Sequence, residues 1–62
     1  MKISTIKKQF ASFGFTCTPL TDKEIETTLR KNLTFDEIYG IGCDVSNGYS
    51  FDYSLELTLS HN

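Results

Sequence analysis

Cys17, Cys43 and His61 are the side chains in this sequence with the intrinsic chemistry of a nucleophile, a base or a soft metal ligand. A Cys–His nucleophilic pair would need His61, one residue from the C-terminus, pinned over a pocket beside one of the thiols. The two cysteines lack CxxC spacing and have no histidine near them in the chain, so a metal site is not expected. Reduced, partly buried thiols are the expectation. The acids Asp22, Glu24, Glu26, Asp36 and Glu37 are accounted for by helix caps and a solvated face, and no pair among them calls for general acid–base work. Gly40-Ile41-Gly42 has the wrong following residues for a phosphate loop and falls inside a predicted helix. The chain therefore reads as non-enzymatic, with no catalytic, metal-binding or cofactor-binding residue and no cofactor expected.

The elements that carry these residues follow from two capping signals. Thr21-Asp22-Lys23-Glu24 and Thr34-Phe35-Asp36-Glu37 both have the Thr-x-x-Glu pattern of a capping box, in which hydroxyl and carboxylate satisfy each other's backbone N–H groups. Two helix starts this close define a helix, a tight connection and a second helix. The spacing predicts helices at about 22–31 and 35–46. Ile25, Leu29 and Leu33 form the buried edge of the former, and Phe35, Ile38, Ile41 and Val45 point inward from the latter. Glu26 and Arg30 are set for a favourable i,i+4 pair, and Arg30, Lys31 and Asn32 suit the helix C-terminus. Gly40 and Gly42 weaken a helix interior by up to ~1 kcal/mol each, which implies either a close neighbour there or a weak helix.

Upstream, Ile3, Ile6, Phe10 and Phe13 recur at helical spacing, Ser4 or Thr5 can cap the start, and Gly14 can end the segment, giving a helix at about 4–13. Residues 15–20 read as an extended connector with Phe15 and Leu20 tucked inward, because Pro19 biases Thr18 away from helical geometry. Downstream, Asn47-Gly48 is a stop or a turn. From Tyr49 to Leu59 apolar and polar residues alternate, which is a strand pattern. Ser50 as N-cap and Asp52 in the first turn give a competing helix at about 51–60. The helix agrees better with the other elements. The fold expected is all-α, a compact bundle of three or four short helices in a single domain over residues 1–62; the alternative is α+β with Tyr49–Leu59 as a strand.

Phe13-Gly14-Phe15 after a first helix, followed by two more short helices, is similar in outline to the ubiquitin-associated domain, a three-helix module that binds proteins through a Met-Gly-Phe loop. The resemblance covers residues 4–45 and rests on Gly14-Phe15: Phe13 stands where that family has methionine, and the connector is several residues longer. It implies protein binding.

Sixty-two residues suffice for one small core, and chains of this size often add a disulfide, a metal or a partner. Net charge is −2, split as +3 over residues 1–20 and −5 over residues 21–62. That balance suits neither a DNA mimic nor a nonspecific DNA coat. No run of ~18 apolar residues could span a bilayer, and no apolar run after Met1-Lys2 is long enough for a signal peptide; the cytoplasm is the expected location. A DNA-binding helix-turn-helix is the alternative class, opposed by a would-be recognition helix that carries Asp36, Glu37 and Asp44 and no lysine or arginine.

If residues 51–60 are helical, a single amphipathic helix cannot bury both faces, and Tyr49, Tyr53 and Leu57 are left on the outside. Tyrosine is enriched in interface cores. These three, with Tyr39 as a neighbour, are the candidate partner-binding residues, the partner being another protein or a second copy. Short helical chains without catalytic motifs are common among phage and prophage accessory proteins that bind host factors, and such an origin is expected here.

Overall fold

The computed structural model describes residues 2–60 and contains four helices in those residues: α1 (Ile3–Ser12), α2 (Asp22–Arg30), α3 (Phe35–Ser46) and α4 (Phe51–Ser60). The all-α expectation holds, and the strand alternative for Tyr49–Leu59 is overturned. His61 lies outside the described residues.

Local chemistry explains the starts of α2, α3 and α4. Both predicted capping boxes form. The Thr21 N–H donates to Glu24 Oε1 at 2.9 Å and the Glu24 N–H to Thr21 Oγ1 at 3.1 Å; Thr34 and Glu37 repeat the arrangement at 2.9 and 3.3 Å. Ser50 starts α4 as expected, its hydroxyl accepting from the Tyr53 N–H at 3.2 Å. At α1 the expectation was wrong: Lys2 is the N-cap and no side chain caps the helix, so neither Ser4 nor Thr5 has that role. The helix starts earlier because Ile3 and Ile6 both pack inward, and burial of the stripe outweighs a missing cap. The ends use positive φ at Gly14, Asn32 and Gly48, where a left-handed residue stops a helix.

α1 lies against α2, and α3 against α4. Ile6 and Phe10 from α1, Leu20 from the connector, Ile25 from α2, Leu33 from the turn, and Ile38 and Ile41 from α3 form the core. Phe15 packs edge-on against Phe10 at 5.3 Å, so the connector is tucked in as predicted. Phe13 is not: it is 60% exposed, because it follows the last helical residue and lies from outside against Phe35, on which it stacks, and against Tyr39, to which it is tilted. Gly42 has a packing reason. A Cβ there would stand 2.6 Å from a Phe10 ring carbon and 3.1 Å from Pro19 Cγ, whereas one at Gly40 would meet nothing within 4 Å.

α4 sits at the edge of this core. Phe51 and Leu55 are half-buried, and the one fully buried residue of the helix is Ser54, whose hydroxyl donates to Asp44 Oδ2 at 2.8 Å. A small polar residue at the contact holds α4 to α3 through a charge-assisted hydrogen bond rather than through bulk. Leu59, expected beside Phe51 and Leu55 on the inner face, is instead exposed, and Thr58 takes that inner position.

Candidate protein-interaction surface

The inner face of α4 is Phe51, Ser54, Leu55 and Thr58, at spacings of three and four. At about 100° per residue, Tyr53 and Leu57 then fall on the far side of the helix. They have nowhere to go within the chain: Tyr53 is 51% and Leu57 41% exposed. Tyr49, in the turn before the helix and 56% exposed, stacks on Tyr53 with ring centroids 6.0 Å apart and planes inclined by 19°. The result is one continuous apolar strip of two tyrosines and a leucine.

Two shallow depressions flank it. One is lined by Tyr53, Glu56, Leu57, Leu59 and Ser60, the other by Tyr49, Tyr53, Leu57 and Asp44. The strip is therefore bordered by Glu56 on its own helix and by Asp44 reaching across from α3. Sequence reasoning had missed Leu59, Glu56 and Asp44 as parts of this surface. The signal for Glu56 and Leu59 was their position one turn from Asp52 and Leu55; nothing in the sequence announced that Asp44 would be brought alongside.

Tyr39 belongs elsewhere. Its ring lies among Phe10, Phe13, Phe15 and Phe35, with centroid separations between 4.9 and 6.0 Å, and it makes no ring contact with Tyr49 or Tyr53. It is half-buried there, and its phenol sits above its ordinary value of 10.0, first because of a hydrogen bond with the Cys43 thiol one turn on, then through burial and the Cys43 charge. The folded chain thus keeps this proton where the unfolded chain has begun to lose it. The corresponding stability is present below pH 10.0 and is lost as the pH rises through the raised value. Tyr39→Phe should remove the part of the ultraviolet phenolate titration that trails above that pH and flatten the loss of stability there; an unchanged titration would contradict this placement.

The thiols Cys17 and Cys43 are both free, Cys17 exposed and Cys43 half-buried, so the expectation of partial burial holds for the second alone. No group of three ligating side chains among the described residues could hold a metal ion. No helix among them is long and apolar enough to cross a membrane.

In comparisons with protein-family models, curated proteins and solved structures, nothing matches this chain.

Proposed function

We propose that this protein is a small non-enzymatic interaction module that binds another protein chain through the outer face of α4. The observation that carries this is the stacked pair Tyr49–Tyr53 continued by Leu57, all exposed on a chain whose other large aliphatic side chains are mostly buried or half-buried. Contiguous exposed apolar surface on a small domain marks a place where something docks. Tyrosine suits that task because it presents a large rigid face at low entropic cost and carries a polar tip. Two free thiols fit a reducing cytoplasmic setting.

The nucleic-acid alternative has less support. α3, which would read the groove, carries Asp36, Glu37 and Asp44 and no basic side chain, and α4 is packed along it. Phosphates would be repelled.

Affinity capture with the wild-type chain and with the Tyr53→Asp, Leu57→Asp double variant tests the proposal. Both positions are exposed, so the variant should keep its helical circular dichroism while losing the captured protein. Recovery of the same protein by both would show that α4 is not the surface.

A further inference from the structure

We propose that the occupant of the α4 face is a cationic amphipathic helix, which lays apolar side chains along Tyr49, Tyr53 and Leu57 and sets lysines or arginines against the acids on both sides. This rests on the reading of α4 as a docking face, and adds the chemistry of what docks. Every lysine and arginine in the chain occurs at or before Lys31. Residues 1–31 hold six basic and three acidic residues, a net +3, whereas residues 32–62 hold Asp36, Glu37, Asp44, Asp52 and Glu56 with no lysine or arginine, a net −5.

The fold converts that sequence asymmetry into a local one. Asp44 borders the strip on the α3 side. Glu56 borders it on the other, with Asp52 exposed one turn earlier along the same flank. The ion pairs Lys7–Asp22 and Glu26–Arg30 both lie in the α1–α2 half, away from this face. An apolar seam between two acidic edges is complementary to a helix whose apolar stripe is edged with basic residues, with charge setting the choice of partner. The same charges disfavour a second copy placed α4 on α4, since a two-fold axis would bring both sets of Asp44, Asp52 and Glu56 together. Anionic membranes and nucleic acids are disfavoured for the same reason.

The test uses the full chain and two fluorescent synthetic peptides that share one leucine- and tryptophan-bearing helical face, one flanked by lysines and its twin by glutamates. Anisotropy titration should give the lysine peptide an advantage of about tenfold at low salt, as expected from several weak rim charges acting together. Salt should shrink it, because rim charges are screened beyond a Debye length of ~8 Å at physiological ionic strength. The Asp52→Asn, Glu56→Gln variant should bind both peptides with nearly equal affinity. Equal binding of both peptides by the wild-type chain, lost in the Tyr53→Asp, Leu57→Asp variant, would overturn the charge inference and leave the docking face standing. Binding of neither peptide, or binding indifferent to Tyr53→Asp and Leu57→Asp, would overturn both. A solution mass that rises with concentration and falls back in that variant would make a second copy the occupant and overturn the cationic partner.

Discussion

Phe10→Ala should unfold this protein at room temperature. The Phe10 side chain is fully buried and is the largest such group in the chain. Its ring is held by Phe15, Phe35 and Tyr39, with centroids 5.3, 5.6 and 5.9 Å away, and its edge lies over the backbone of Gly42. It therefore joins α1, the connector and α3 at one point. Truncating a buried phenylalanine costs about 3–5 kcal/mol, through lost transfer energy and the cavity left behind. A single core in a chain this short supplies only about 3–5 kcal/mol in total. The two are of the same size, so the variant should lack a cooperative thermal transition in far-ultraviolet circular dichroism. Phe13→Ala is the control: that ring is 60% exposed, and its stacking on Phe35 contributes about 1 kcal/mol. A Phe10→Ala chain that melts cooperatively within a few degrees of the wild type would mean that the core is not organised around this ring.

Gly42→Val should destabilise the fold by roughly 3 kcal/mol, the upper part of the usual range for overpacking. Its first added atom alone would lie 2.6 and 2.7 Å from two Phe10 ring carbons. Those carbons are at the free end of a side chain, but the end is clamped by three other rings and cannot swing away. Gly40→Ala in the same helix should do the opposite and stabilise by about 0.5–1 kcal/mol, since alanine is the better helix former and its Cβ meets nothing within 4 Å. Denaturant midpoints of the two variants should bracket the wild type. If both rise above the wild type, helix propensity rather than the Phe10 contact governs α3. Phe10→Leu should lessen the penalty at Gly42 by vacating the contacted atoms, a coupling that a double-mutant cycle would read directly.

The starts of α2 and α3 were legible because their signals are local. Thr21 with Glu24 and Thr34 with Glu37 are pairs three residues apart, so hydroxyl and carboxylate find each other whatever the rest of the chain does. The start of α1 was misread at Ser4 or Thr5 for the converse reason: capping propensity is a small term, and packing of Ile3 and Ile6 into the core set the boundary at Lys2.

Residues 49–59 show where sequence reasoning stops. Perfect alternation satisfies the strand template while Ser50, Phe51 and Leu55 satisfy the helical one, and no local rule ranks them. What ranks them is α3, which offers Asp44 to the Ser54 hydroxyl and a surface for Phe51 and Leu55, and provides no strand edge. Ser54 could not be read as buried, because a serine declares its burial only through a partner, and this partner is ten residues away. Tyr39 could not be separated from Tyr49 and Tyr53 either, since only the packing of Phe10 and Phe13 against Tyr39 assigns one to the aromatic cluster and leaves two largely in water. By itself, then, the order of residues determined where α2 and α3 begin and that the last segment has apolar side chains to spare. Which of those side chains face outward, and that acids stand on both sides of them, depended on how α4 rests on α3, a contact between segments that no short-range rule encodes.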